Sequence, residues 1–405
     1  MTSSLTAEVR IEDPNWYNHD AYAAIARLHA EEPAYFYEPL SMWILTKYEH
    51  IQRVGKNPAI FSNTHGLVLN DFRFGNVTAQ FFPEGAENFA LADPPRHDDL
   101  RRILVPSFSA RRVKAIEDEI RARCVAVFDG LERGTTVDWS GRVAEFLTVQ
   151  LFCALLGVPF EDRAKVAEWA KLVNRMSEAI SADELIAAAG DLGPMGAYFQ
   201  AQLEERFANP SDDVIGAVAA AVQDGRISIE TAHMFVTGVM TAGNGNTVST
   251  VNGAMVAFAE NPEQLARVHE DPGRARNAAE ELLRWLSPIR AFGRTIVEDT
   301  EMFGVPMTRG QSLLNLYMAA NRDPEVFPNP DAFDVGREFA KPAMSFGYGQ
   351  HACIGAVLTR TVVRVVVEEF AARFGEVEVV AEKSELDETS FLLNHPWRRL
   401  TAVLR

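Results

Sequence analysis

Ser345-Phe-Gly-Tyr-Gly-Gln-His-Ala-Cys-Ile-Gly355 sets the terms on which the rest of this chain is read. Glycines at 347, 349 and 355 let the backbone pass close to a flat ligand. Cys353 stands at the head of a stretch of helical periodicity that runs to Phe374. Free backbone N–H groups and the positive end of a helix stabilise a thiolate at such a place. A thiolate held this way is a good ligand for a haem iron and donates electron density that favours O–O cleavage. Taken alone, the loop also fits a turn with an inert cysteine. Cys124 and Cys153 lie in apolar helical stretches and read as small buried hydrophobes. The three cysteines are far apart, with no CxxC and no Cys/His cluster at zinc spacing, so neither a structural zinc nor a disulfide scaffold is expected.

Outward from this loop, helical periodicity dominates. Helices are expected over Ala21–Ala30, Glu49–Lys56, Arg112–Leu131, Val143–Leu156, Glu161–Ser181, Met195–Phe207, Ser228–Ala259, Pro262–Glu270 and Pro272–Leu286. Strands are expected at Met42–Thr46, Thr295–Val297, Glu301–Phe303 and Gln311–Leu314, with short strands towards the C-terminus. Gly66–Asn88 is rich in Phe, Gly and Asn without a clean period and reads as a long irregular loop. The sum is mainly α with a small β region, read as one domain over residues 1–405.

The 405 residues are 47% hydrophobic and 23% charged, an ordinary globular composition that excludes a disordered or collagen-like chain. A formal charge of −17 argues against a basic face for nucleic acid. Met1 to Arg10 has no apolar h-region, and no run approaches a membrane span. With three reduced thiols, this fits a soluble cytoplasmic protein with no membrane partner.

Phe346, Gly349, His351, Cys353 and Gly355 reproduce the haem-binding signature of the cytochrome P450 family, and further motifs fall in order around it. Glu281-Leu-Leu-Arg284 resembles the family's ExxR pair, whose members share a helix face and can form a fixed charged fork. Phe333-Asp-Val-Gly-Arg337 resembles the segment whose arginine joins that fork; Asn321-Arg-Asp-Pro324 and Asp93-Pro-Pro-Arg-His97 also match. The resemblance runs from about Trp16 to the end. It implies an α-rich triangular prism binding one haem b (iron protoporphyrin IX), with Cys353 as the iron ligand. His97, Arg101, Arg294 and His351 would hold the propionates, Phe346 would shield the sulfur, and Gly347 and Gly355 would shape the loop.

The same resemblance places the helix near Met240–Val248 across the oxygen-binding face, where Ala242-Gly243 matches the family. Small residues there leave room for dioxygen and often accompany a local distortion of the helix. The family then has an acid and a threonine that relay protons. This chain has Gly245 and Asn246, followed by Thr247. Asparagine donates and accepts hydrogen bonds but relays a proton poorly. Three readings follow. Asn246 holds a water chain reaching solvent past Gly245, a substrate hydroxyl or carboxylate completes the relay, or ordinary oxygen activation is lost.

By analogy with the family, the substrate side takes residues from Gly66–Phe82, the helices around Trp169–Ile186, Ile289–Phe292 and Phe391-Leu392-Leu393. Leu67, Val68, Leu69, Phe72, Phe74, Phe81, Phe82, Phe292 and Leu392 make it apolar, with Val239 from the long helix; plain core packing is the alternative for the Phe-rich loop. Arg290 stands out as a cation in that wall, expected to meet a substrate carboxylate or carbonyl unless it reaches a propionate or solvent. Arg101, Arg102, Arg111, Arg112, Lys114, Arg360 and Arg364 form a candidate positive face for an acidic ferredoxin or flavodoxin, since the chain has no flavin or iron–sulfur motif of its own. The expected activity is insertion of one oxygen atom from O2 into a terpenoid, steroid, fatty or aromatic molecule, most simply as hydroxylation. Alternatives are a peroxide-driven or redox-neutral haem enzyme and a non-catalytic haem binding or sensing protein.

Overall fold

The computed structural model describes residues 5–76, 79, 83–178, 193–390, 392–394 and 396–405. Its axis is the helix Ile229–Glu260. Ser228 caps it by accepting from Thr231 N–H, and the next helix begins at Pro262, where proline is tolerated at the first helical position. Helices Phe146–Leu156, Arg163–Glu178, Val214–Gln223, Ala275–Leu286 and Ala356–Arg373 pack around this axis. The largest hydrophobic cluster forms between them, including Trp139, Phe235, Phe258 and Phe370. The helix runs unbroken through Ala242-Gly243. No helix among the described residues is long and apolar enough to cross a membrane.

The β part is small. A five-stranded sheet runs in the order Ala34–Tyr37, Met42–Leu45, Ser312–Leu316, Ala291–Ile296, Phe61–Ser62. Only the pairing of Met42–Leu45 with Ser312–Leu316 is parallel. Separate hydrophobic clusters lie under the N-terminal helices and around Leu45, Phe61 and Leu313. The chain is therefore mainly α with minor sheets, as its periodicity indicates.

Several boundaries differ from those expected. The long helix begins at Ala356, so Cys353 lies in the turn before it. Gly66–Asn88 is not wholly irregular: Leu69–Phe74 is a short helix. The carboxylate of Asp71 accepts from the N–H groups of Leu67 at 2.8 Å and Val68 at 3.1 Å, and so caps its start. Two further helices stand outside the expected set, the first although it buries residues at helical spacing. Arg96–Leu104 buries only His97, Leu100, Ile103 and Leu104, and Val214–Gln223 is apolar nearly all round. Pro272–Leu286 divides into a tight turn at Pro272–Arg274 and the helix Ala275–Leu286.

Candidate active site

The cysteine loop is built from its ends inwards. Asn321, fully buried, accepts from Met344 N–H at 2.6 Å through Oδ1. Its Nδ2 donates to Ser345 Oγ at 2.9 Å and Ser287 Oγ at 2.8 Å, and Ser345 donates to the Leu283 carbonyl at 2.6 Å. The far end closes when Cys353 N–H donates to the Phe346 carbonyl at 2.8 Å. Between these points Gly347 and Gly349 have φ of +66° and +80°. A Cβ at Gly349 would also strike the backbone of Gly55. Both facts demand glycine at 349. Gly349→Ala is therefore expected to weaken ligand retention by the loop by about 1–3 kcal/mol, measured as a lower haem-loaded fraction of purified protein.

The loop faces a cavity containing about 1280 Å³ of space free of protein atoms, its open mouth included. Leu67, Arg101, Val239, Ala242, Gly243, Asn246, Thr247, Phe292, Arg294, Phe346, Gly347, His351, Cys353 and Gly355 all line it. Cys353 is exposed to this cavity while seated deep in the protein. Burial pushes its pKa up, while the Gly355 N–H and the Arg101 and Arg360 guanidiniums pull it down. Arg360 lies over the Phe346 ring at 4.4 Å, and Arg101 donates to the Ala352 carbonyl at 2.6 Å.

Across the cavity stands the long helix. Asn246 Nδ2 donates to the Ala242 carbonyl at 2.8 Å, and Thr250 donates to the Asn246 carbonyl at 2.8 Å. Gly245 is half-buried on the helix but lies off the cavity wall. A Cβ at Gly243 would collide with the Phe152 ring, so the smallness of that residue serves helix packing as well as cavity space. Phe152 itself lines the cavity, as do Asn63, Phe89, Phe108, Ile289 and Tyr317. Sequence reading missed all of these except Ile289, which it placed only by segment. No local pattern marks an aromatic that reaches a cavity through tertiary packing.

Other expectations need correction. Arg290 does not face the cavity: it is fully buried and bonded to Asn18, Ser390 and Asn394. Its segment reaches the wall through Pro288, Ile289 and Phe292, while Arg290 itself turns away from it. Leu392 also lies off the wall and packs in the cluster around Phe61 and Leu313. Val68, Leu69, Phe72 and Phe74 do not line the cavity; Phe72 sits where a Cβ of Gly293 would be. Trp169 packs against Tyr198 and Phe199 instead. Phe81, Phe82, Phe391 and the 179–186 part of the expected helix pair lie outside the described residues. Most members of the basic cluster are paired: Arg102 with Asp99, Lys114 with Glu117, Arg112 with Asp212, Arg360 with Glu280, and Arg364 with Glu117 and Glu368.

The cavity has one cationic end. Arg101, Arg294 and His351 line it; His97 is not on the wall but is buried against His351, with ring centroids 4.1 Å apart. Burial and these neighbours push the pKa of His351 down to about 3, so it is neutral at pH 7. The Nε2 atoms of both histidines are buried without a hydrogen-bond partner among the described residues. Such atoms are costly unless a ligand meets them.

Comparison with known proteins resolves what this arrangement belongs to. The family model for cytochrome P450 matches residues 200–401. A methyl-branched lipid omega-hydroxylase of Mycobacterium tuberculosis is 30% identical, over 90% of this chain and 87% of the relative. The chain belongs to the cytochrome P450 family. A steroid C26-monooxygenase of the same species is 30% identical over 94% of this P450 and 85% of the relative. A solved cytochrome P450-153 from Novosphingobium aromaticivorans superposes with a TM-score of 0.85 at 26% identity, covering 98% of this chain and 99% of that one.

This P450 is a monooxygenase whose cofactor is haem held by a cysteine thiolate. The residues present fit that group. A thiol opens onto the cavity from a glycine loop that lets the backbone approach a flat ring. Arg101, Arg294 and the unpaired Nε2 of His351 stand on the cavity wall with His97 packed against His351, a polar group suited to carboxylates.

Proposed function

We propose that this P450 inserts one oxygen atom from O2 into an apolar small molecule of the terpenoid, steroid, fatty or aromatic class, with hydroxylation as the outcome. The observation that carries the substrate class is the apolar wall of Leu67, Phe89, Val239, Ile289 and Phe292 in the cavity onto which Cys353 opens. Such a wall orients a ligand by shape. The lipid and steroid named for the two relatives support the same class.

Cys353 would ligate the iron, and His97, Arg101, Arg294 and His351 would hold the propionates. Thiolate-ligated haem supplies dioxygen activation and oxygen insertion when bound. The chain's own residues exclude bulk water and manage protons. Asn246 commits Nδ2 to the Ala242 carbonyl, so its Oδ1 is the atom that accepts from a water or a substrate hydroxyl. Gly245 beside it leaves no side chain to block a water file. Asn246→Ala is expected to cut product formed per electron about three- to tenfold, the scale of one lost hydrogen bond, while electron consumption continues. Unchanged coupling and rate with every good substrate would remove the role assigned to Asn246.

Electrons would come from a separate ferredoxin or flavodoxin with its reductase, in the cytoplasm. Arg111 is exposed in the same basic stretch as Arg102 and Lys114. Their acidic neighbours dilute a positive face without removing it, and steering by such a face weakens with salt. Gly245 and Asn246 favour a second reading, a peroxide-driven or redox-neutral enzyme. The test is product formation by mass spectrometry with ferredoxin, reductase and NAD(P)H, against peroxide alone. Product only in the first mixture is expected; product only with peroxide would replace the proposal by the second reading.

A further inference from the structure

Arg290 joins segments that are far apart in sequence. Its Nη2 donates to Asn18 Oδ1 at 2.6 Å, in the helix Pro14–His19. Its Nη1 donates to the Ser390 carbonyl, and its Nε to Asn394 Oδ1 at 3.4 Å. The guanidinium lies 4.7 Å from the centre of the Tyr17 ring. The backbone of Arg290 is fastened too: its N–H donates to the Leu392 carbonyl at 3.0 Å, and its carbonyl accepts from Met318 N–H at 3.2 Å.

Asn394 extends the connection. Its N–H donates to the Pro288 carbonyl at 2.9 Å, and its Nδ2 to the Leu286 carbonyl at 2.7 Å. Its own carbonyl accepts from Ser249 Oγ on the long helix, three residues beyond Asn246. On the cavity side of the same segment lie Pro288, Ile289 and Phe292.

A buried cation is tolerated only where its donors are met, and a planar guanidinium fixes the direction of each acceptor. We infer that Arg290 is a positioning residue: its guanidinium bolts the wall segment 288–292 to the C-terminal turn and to the N-terminal helix, and so sets the shape of the substrate cavity. The inference rests on the proposed function in taking this cavity as the place where substrate lies. Arg290 touches no substrate. It acts through Ile289 and Phe292, which lose their fixed backing when Asn18, Ser390 and Asn394 lose their common donor.

The test compares two iron ligands on haem-loaded Arg290→Met and wild type by spectral titration. Imidazole is small and reports the iron alone. 4-Phenylimidazole places a ring against the wall. Imidazole affinity is expected to stay within twofold, while 4-phenylimidazole weakens at least fivefold. A change in both by the same factor, or in neither, overturns the inference, because loss of folding or loading does not alter the ratio. Should Arg290→Met take up no haem, Asn18→Ala is read in the same way. A ratio shifted at least twofold supports the inference, and an unchanged ratio overturns it. The ratio needs no turnover, so it decides on Arg290 even where no apolar compound is oxidised, a result that counts against the proposed function alone.

Discussion

Cys353→Ser abolishes the thiolate-type absorption of the reduced carbonyl adduct and lowers oxygen insertion by at least about a thousandfold, or roughly 4 kcal/mol of barrier. The loop itself survives the change. Its closure uses the backbone N–H of residue 353, and its start is held by Asn321 and Ser345, none of which needs the sulfur. The lost quantity is the electron density a thiolate donates, which a serine hydroxyl does not supply. No other cysteine can substitute. Burial pushes Cys124 up to about 12 and Cys153 up to about 11, and neither lines the cavity. Cys124→Ser is the control and leaves the carbonyl spectrum unchanged. A Cys353→Ser protein that keeps the thiolate band would place the iron ligand elsewhere.

That cysteine was legible in sequence because its whole setting is local. Gly347 and Gly349 sit at positive φ, and Phe346 and Cys353 are joined by one backbone bond, all within a single short loop. Asn321 was legible only as part of a motif; its task of holding both Met344 and Ser345 emerges when two distant segments meet. The cavity wall was legible least. Leu67 and Phe292 reach it, whereas Leu392 and Arg290 do not. Family analogy places a segment, not the facing of each side chain: of 289–292, Ile289 and Phe292 face the cavity, while Arg290 is held by Asn18, Ser390 and Asn394, partners far away in sequence. Phe152 arrives from a helix whose own sequence reads as ordinary core, and Phe89 from a short turn at the end of the Phe-rich loop. The basic stretch shows the same limit in charge. Lys114 and Arg364 both meet Glu117, and sequence counts the cations before it can pair them.

Glu281→Gln lowers the unfolding midpoint by about 4–6 °C and the haem-loaded fraction with it, the largest stability effect expected of any single change in the fork. Glu281 and Arg284 are fully buried, so their pair is not the weak surface bridge that such a spacing often gives. Arg284 Nε and Nη2 meet the carboxylate at 2.7 and 2.8 Å, Arg337 Nε at 3.0 and 3.1 Å, and Asp334 N–H at 2.9 Å. One carboxylate thus balances two buried guanidiniums. Their remaining donors go to carbonyls of Asn321, Pro328, Asn329, Pro330 and Ala332. Glutamine keeps the shape but leaves both cations without a counter-charge, a loss of about 3–5 kcal/mol, which scales to the stated shift for a chain of this length. Arg337→Gln leaves one cation on one anion and is expected to cost less. The order of the two midpoints is therefore the sharper test, since a bridge important only for packing would make the two changes equal. The consequence reaches the active site through Asn321, whose carbonyl takes Arg284 Nη1 at 2.8 Å while its side chain holds the start of the cysteine loop.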